Sequence, residues 1–354
     1  MRVLVIGGSG AFIGARVVQH LQRLNHDVAI FSRRQPDLAK DSEYIRGDRR
    51  RLAESAAALR AFKPNVVVDV ILSSGAQGRE LVEMFRGVAD RVVAISSMDV
   101  YRACGVLHRS EEGPLEPLPL KETSPLRSKQ QTYPPPQIAM LQQVFGWLDD
   151  EYDKIPVERE VLGDAELRGT VLRLPMVYGP GDKLHRFFPV LKRIADGRQT
   201  IVFAESLAAW RGTKGYVDDV AAAIALAATS DRAARQVYNV GERDVLTEFD
   251  WARRVAEAAG WSGESLVVPD DHAPAHLLPP ANWAQHWVAD TRRIREELGY
   301  VERVGRDEGI RRTVEWERVN PRAQIDAKQF DYGAEDEAVE KFRIPGSTFQ
   351  VRTN

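Results

Sequence analysis

The chain has 354 residues, enough for two structural parts and a large buried core. Hydrophobic residues make up 44% and charged residues 28%, which excludes the disordered and fibrous classes. With 49 basic and 51 acidic residues the net charge is −2, so a strongly basic nucleic-acid binder is excluded as the default. The single cysteine, Cys104, forms no internal disulfide and fits a reducing compartment. No apolar run approaches the ~20 residues that span a bilayer, and the first apolar stretch runs into a glycine loop instead of a cleavage site. A cytoplasmic protein without membrane contact is expected.

Runs rich in Val, Ile and Leu predict strands over 2–6, 27–31, 44–46, 65–71, 91–96, 170–174 and 236–240. Helical spacing of apolar residues predicts helices over 13–24 and 52–62 between them. The alternation predicts an α/β fold, a Rossmann-type doubly wound parallel sheet. Residues 102–137 break the rhythm with Pro114, Pro117, Pro119, Pro125 and the run Pro134-Pro135-Pro136, which reads as a long loop of the lid type. Further helices are expected over 187–196, 219–229, 248–259 and 291–298. The dinucleotide-binding domain is therefore drawn over 1–175 plus 216–241. A smaller C-terminal substrate domain takes 176–215 and 242–320, and 321–354 form a polar tail that runs over the surface or frays.

Gly7-Gly8-Ser9-Gly10-Ala11-Phe12-Ile13-Gly14 joins the first strand to the first helix. Glycines there allow a tight turn and let backbone N–H groups approach a pyrophosphate at the helix N-terminus. The second strand ends in Ser32-Arg33-Arg34, with no acid until Asp37. An acid would bond the ribose 2′-hydroxyl of NAD, whereas arginine suits a 2′-phosphate, so NADP is favoured and NAD is the alternative.

Two further stretches are Ser96-Ser97-Met98-Asp99-Val100-Tyr101 and Arg173-Leu174-Pro175-Met176-Val177-Tyr178-Gly179-Pro180-Gly181-Asp182. With Gly215-Tyr216-Val217-Asp218-Asp219-Val220 and Tyr238-Asn239-Val240-Gly241, the chain resembles the extended short-chain dehydrogenase/reductase superfamily. The branch it resembles is the one described as NAD-dependent epimerase/dehydratase, over about residues 1–316. The glycine spacing is one residue longer than the family's usual GxxGxxG. The resemblance implies a dinucleotide held by Gly7, Gly8, Ser9, Gly10, Phe12, Ile13, Gly14, Ser32, Arg33, Arg34, Ile71, Leu72, Ser96, Lys154 and Pro175. Asp48 in Gly47-Asp48-Arg49 either contacts adenine or caps the following helix.

The family's chemistry needs a hydroxyl, a tyrosine and a lysine. The hydroxyl orients the substrate oxygen, tyrosine moves a proton, and lysine lowers the tyrosine pKa and holds the nicotinamide ribose. Ser97 matches the hydroxyl. In Glu151-Tyr152-Asp153-Lys154-Ile155-Pro156-Val157-Glu158, Lys154 and Glu158 match the family's KxxxE, but Asp150 stands where YxxxK puts tyrosine. Tyr152, only two residues before Lys154, lies about 200° around an ideal helix. It reaches the nicotinamide only if it stands outside a helix that begins near Ile155. The alternatives are Asp150 in its place, or a site that binds cofactor without redox chemistry.

The leading expectation is an NAD(P)-dependent epimerase, dehydratase or reductase acting on a hydroxyl or carbonyl of a small polar, sugar-like substrate. The alternative is a dinucleotide-sensing regulator or RNA-binding protein on the same fold, motivated by the disturbed YxxxK and the run Arg49-Arg50-Arg51. Arg211 precedes a region where the family often holds sugar nucleotides. His185 and Arg186 are candidate substrate contacts, and Trp283 and Trp287 read as packing. His272 and His276 stand four apart with Pro274 between them, so no metal site is expected. A small-molecule substrate is the expected partner and nucleic acid is disfavoured. The oligomeric state is open, a homodimer being one option.

Overall fold

The computed structural model describes residues 1–10, 12–35, 42–131 and 133–342. The first half runs β1 (Arg2–Ile6), α1 (Ile13–Arg23), β2 (Asp27–Ser32), β3 (Glu43–Arg46), α2 (Ala56–Ala61), β4 (Val66–Asp69), α3 (Gly75–Phe85), β5 (Arg91–Ser97), α4 (Arg102–Leu107), α5 (Pro135–Val144), α6 (Lys154–Gly163) and β6 (Arg168–Leu174). The second half runs β7 (Met176–Tyr178), α7 (Phe188–Ala195), β8 (Thr200–Ala204), α8 (Glu205–Ala209), β9 (Lys214–Tyr216), α9 (Val217–Thr229), β10 (Val237–Asn239), α10 (Glu248–Ala258), β11 (Glu264–Val268), α11 (Arg292–Leu298), α12 (Arg306–Val319) and α13 (Tyr332–Phe342). Seven strands form one parallel sheet in the order β10-β6-β5-β4-β1-β2-β3. The order reverses between β1 and β4, and ligands of such sheets gather outside the strand C-termini at that point.

A strand buried on both faces needs an apolar residue at every position, which is why Val3-Leu4-Val5-Ile6 shows no alternation. Val3 and Val5 face α1 and the alanine-rich α9, whereas Leu4 and Ile6 face the layer of α2, α3 and α6. The expected helix over 52–62 is instead a 3-10 turn over Arg49–Ser55 followed by α2, and the Asp48 carboxylate caps that turn at Arg50 N, 3.0 Å away. β4 ends two residues before the expected strand does. The Asp69 side chain takes the Ile71 N–H at 3.0 Å and so turns the chain out of the sheet.

Helix α3 buries Leu81, Val82, Met84 and Phe85 in the core and turns glycines toward α6. A Cβ at Gly75 would come 2.7 Å from Pro156 Cβ, and one at Gly78 would lie 3.3 Å from Glu160 Cβ, so α3 and α6 pack nearly backbone to backbone. Within 102–137 the lid-type loop is interrupted by α4, and α5 starts on Pro135 and Pro136, where proline's missing N–H costs nothing. The expected polar tail contains α13. Its Ala338, Val339 and Phe342 bury against the two-stranded sheet β11-β8, and Glu335 pairs with buried Arg193 at 2.6 Å. Residues 343–354 lie outside the described ones. Among the described residues, no helix is long and apolar enough to cross a membrane.

Candidate active site

A cleft of about 930 Å³ opens over the C-terminal ends of β1, β2, β4 and β5. The turn after β1 is possible only with glycine. Gly7 has φ +87°, and a Cβ there would come 2.8 Å from the side chains of Val70 and Ile71. At Gly14 a Cβ would stand 2.2 Å from the Gly7 carbonyl oxygen, so the first turn of α1 can sit against the loop only because the side chain is missing. The extra residue in the glycine spacing therefore leaves the close helix–strand contact intact. Gly10 differs: a Cβ there meets nothing within 4 Å, because the position faces the open cleft.

Ser9, Phe12, Ile13, Ser32, Arg33, Arg34, Asp48, Ile71, Ser96, Lys154 and Pro175 line the same cleft. Two expected cofactor residues do not. Gly8 packs its α-carbon toward Val18, Ile30 and Val5, and Leu72 is fully buried, contributing only its carbonyl oxygen to the Lys154 ammonium. Arg33 and Arg34 are exposed at the rim, while the Ser32 hydroxyl is turned back onto the Arg34 carbonyl at 2.7 Å. The Arg33 guanidinium lies against Gly146, where a Cβ would be 3.5 Å away. Ala11 and Asp37 lie outside the described residues.

Helix α6 sets the reacting end. Asp153 caps it by accepting from Ile155 N at 2.9 Å, which makes Lys154 the first helical residue. One turn on, Glu158 accepts from Ser96 Oγ at 2.6 Å and from Arg173 at 3.0 and 2.7 Å, pinning α6 to β5 and β6. The Lys154 ammonium donates to the carbonyls of Leu72 and Ile95, and burial lowers its pKa to about 8.

Tyr152 stands outside the helix, in the extended lead-in. Its ring is 5.5 Å from the Lys154 nitrogen, and its hydroxyl donates to Asp99 Oδ2 at 3.0 Å. Ser97 meets the same residue, accepting from Asp99 N at 3.1 Å. Ser97, Tyr152 and Lys154 all line the cleft that the glycine loop opens. Asp150, the residue at the YxxxK position, is exposed and bonded to Gln142 Nε2 at 2.7 Å, so it is removed from the candidates. Lys154 begins the helix, so a residue four positions earlier belongs to a different segment.

Sequence reasoning missed two groups. Asp99 is buried, its Oδ1 has no hydrogen-bond partner, and burial raises its pKa despite the nearby Arg127 and Lys154 charges. Tyr133 stacks on Tyr152 with ring centroids 6.0 Å apart and points its hydroxyl toward Asp99 at 3.5 Å. Burial and the Asp99 charge push both phenols well above their ordinary pKa. A signal for Asp99 was present: a carboxylate two residues beyond Ser97 at a strand end has few ways to remain solvated. Tyr133, across a long loop, left none.

Other candidates are structural. Arg49 is buried between Asp69 at 2.6 Å and Glu80 at 2.9 Å, so the arginine run is no continuous basic face. His185 binds Glu317 at 2.6 Å and stacks on Trp316, whereas Arg186 lines the cleft while paired to Asp182. Trp283 packs on Trp210, and the Trp287 indole N–H donates to the Met98 carbonyl at 3.1 Å. His276 meets Glu335 rather than His272, and no group of three metal-ligating side chains occurs among the described residues.

The comparisons agree with this architecture. The model of the NAD dependent epimerase/dehydratase family matches residues 3–241. A dTDP-glucose 4,6-dehydratase of Streptomyces niveus is 32% identical over 155 residues, an alignment that spans 42% of this chain and 42% of that one. A decarboxylating sterol-4-alpha-carboxylate 3-dehydrogenase of Saccharomyces cerevisiae is 25% identical over 89% of this chain and 97% of its own. Among solved structures, the Thermus thermophilus UDP-glucose 4-epimerase in complex with NAD superposes with a TM-score of 0.61 and 26% identity. It covers 90% of this chain and 99% of that one.

Proposed function

The chain belongs to the NAD dependent epimerase/dehydratase family, and from that premise we propose that it is an NADP-preferring enzyme acting at a hydroxyl- or carbonyl-bearing carbon of a small polar, sugar-like substrate. The glycine cradle suits a dinucleotide: Gly7 and Gly14 lack room for side chains, and Gly10 leaves the cleft open for a pyrophosphate. Arg33 and Arg34 line the cleft at the end of β2, and their charge is what favours a 2′-phosphate in this reading. A bound nicotinamide supplies or accepts the hydride. The meeting of Ser97 and Tyr152 at Asp99, Ser97 accepting from its backbone N–H and Tyr152 donating to its carboxylate, beside Lys154, is the observation that carries the reading.

That meeting answers a difficulty in the tyrosine's environment. Burial disfavours a free phenolate at Tyr152, and Lys154 is itself only weakly held in its charged form. The Asp99 carboxylate, made more basic by burial, takes the Tyr152 proton as Tyr152 takes the proton of the substrate hydroxyl. For oxidation, the C–H electron pair leaves as hydride, the hydroxyl proton passes to Tyr152, and the phenol proton passes to Asp99. Reduction runs the same transfers backwards. Ser97 orients the oxygen, and Lys154 holds the ribose and offers its charge to the tyrosine oxygen.

Cofactor choice tests the reading at its base. Calorimetry of the unmodified protein should show NADPH binding more tightly than NADH. Charge-assisted hydrogen bonds to arginine contribute about 1.5–3 kcal/mol, so Arg33→Ala should narrow the preference about tenfold or more and leave NADH affinity nearly unchanged. Equal loss of both would give Arg33 a folding role, and no binding of either dinucleotide would end the proposal.

A further inference from the structure

Asp99 and Tyr152 meet at 3.0 Å although they arrive from different parts of the chain. Asp99 lies in the 3-10 turn Met98–Val100 that follows β5, whereas Tyr152 stands in the extended lead-in to α6. A hydrogen bond to a charged group contributes only about 1.5–3 kcal/mol, and ordering each backbone residue costs about 1–2 kcal/mol. That one bond does not hold two segments in place.

Arg127 ties them. Arg102 N donates to the Pro125 carbonyl and Arg127 N to the Val100 carbonyl, both at 2.8 Å, around an antiparallel bridge between Tyr101 and Leu126. The Arg127 side chain is buried. Its Nε donates to the Asp99 carbonyl at 2.6 Å, one terminal nitrogen to the Lys129 carbonyl at 2.7 Å, and the other to Asp153 Oδ1 at 3.0 Å. Asp153 is the residue between Tyr152 and Lys154. The same Oδ1 caps α6 at Ile155 N, Oδ2 accepts from Gln131 N at 2.9 Å, and the Asp153 N–H donates to the Ser73 carbonyl at 3.1 Å. One planar guanidinium therefore spans from the main chain of Asp99 to the residue that places both Tyr152 and Lys154.

The guanidinium meets two neutral carbonyls and one carboxylate, and that carboxylate is shared with a helix cap. Its charge is felt at Asp99, where it is the largest influence opposing burial. The other groups facing Asp99 are the Ser97 hydroxyl, Lys154 and the Tyr152 phenol from the α6 side, the Tyr133 phenol across the loop and the Cys104 thiol of α4. Glu111, the next acid, is engaged by Ser128 N at 2.6 Å and Lys129 N at 3.2 Å.

We propose that Arg127 is a positioning residue of the reaction centre, its guanidinium tying Asp99 to the Tyr152–Lys154 segment and stationing a positive charge beside the Asp99 carboxylate. Its bearing on catalysis rests on the proposed function, in which Asp99 takes the Tyr152 proton.

The test follows the Asp99 titration itself, by carbon NMR of protein labelled at the aspartate carboxyls, with the Asp99 signal identified as the one missing from Asp99→Asn. Arg127→Gln and Arg127→Lys remove the same packing, but only lysine keeps the charge. An opposite charge close by moves a carboxyl midpoint by about 1–3 pH units, so the Asp99 midpoint should rise by about one pH unit or more in Arg127→Gln and stay near the unmodified value in Arg127→Lys. An arginine that only filled space would let water in on removal, and both variants would titrate lower. The tie is read by coupling. Tyr152→Phe removes a donor to the carboxylate and so raises the midpoint, and on the Arg127→Lys background that rise should shrink to about half or less, because the phenol is no longer held at Asp99. The coupling needs only Arg127→Lys, so it decides the matter even where Arg127→Gln does not fold. An equal rise on both backgrounds, a midpoint unmoved in Arg127→Gln, or a fall in both variants would overturn the proposal. The titration needs neither substrate nor cofactor, so its failure is separable from failure of the proposed function, which calorimetry and turnover read.

Discussion

The two walls of the cleft were made by different rules. One wall is the sheet edge with its glycine loop, where Gly7, Gly14, Ser96 and Ser97 sit on strand ends whose backbone is fixed by the ladder. The other comprises Tyr133, Leu141, Phe145, Trp147, Leu148 and Tyr152, which belong to a segment between β5 and α6 with no place in the sheet. In the proposed function the first wall holds a cofactor by what it lacks, the missing side chains. The second, which carries the proton-moving groups of that proposal, is held down by side-chain hydrogen bonds. The sheet-side wall can thus stay fixed while the other is rebuilt, which is how a shortened tyrosine–lysine spacing remains compatible with the fold.

The sharpest way to break this division is Tyr152→Phe. The hydroxyl makes one contact, to Asp99, and the ring keeps its stacking on Tyr133. Turnover should fall by at least ~10²-fold, the scale of general acid–base catalysis, while NADPH affinity measured by calorimetry stays within error. A fully active variant would remove the tyrosine and leave Asp99 or Tyr133 as the proton donor.

Asp99→Asn separates the two walls next, because activity and stability should move in opposite directions. A carboxyl group whose folded pKa is raised contributes stability that is present below its unfolded value and lost as pH rises through the folded value. At neutral pH, Asp99 therefore costs stability, and asparagine relieves that cost while still accepting from Tyr152. Turnover should fall about 10²-fold through loss of the proton acceptor, and the melting temperature should rise at neutral pH and lose that gain in acid. A variant that melts lower at neutral pH while retaining full turnover would show that Asp99 only supports the local fold.

The first wall was legible in the sequence because its requirements are local. A strand, a glycine turn and a helix within a few residues of one another admit few alternatives, and the Ser97 position follows from the end of β5. Asp150 and Tyr152 show where that reading stops. Counting four residues back from Lys154 assumes an unbroken helix, but Asp153 caps the helix at that point, so the period ceases to apply just where it was needed. A related limit hid Tyr133, which reaches Asp99 across a loop that no periodicity describes. Helix α13 escaped notice because its buried residues answer β8 and β11, far away in sequence.

The smallest expected effect concerns how the second wall is fastened. Asp149 accepts from the hydroxyls of Ser73 and Ser74 at 3.0 and 2.6 Å and returns its own N–H to Ser73 Oγ at 3.0 Å. Both serines are buried at the start of α3, so this one carboxylate ties the Phe145–Trp147–Leu148 side of the cleft to the sheet side. Asp149→Ala leaves two buried hydroxyls without that partner, a cost of about 1–3 kcal/mol. That cost falls on the fastened state of the segment, not on the sheet. Stopped-flow dilution of the NADPH complex should then show dissociation several-fold faster, with association changed little and the global unfolding midpoint lowered slightly. The glycine loop remains intact in this variant, so a large loss of NADPH affinity would show that the second wall carries much of the cofactor binding and would erase the distinction between the two walls. Unchanged dissociation would show that Asp149 does not govern release.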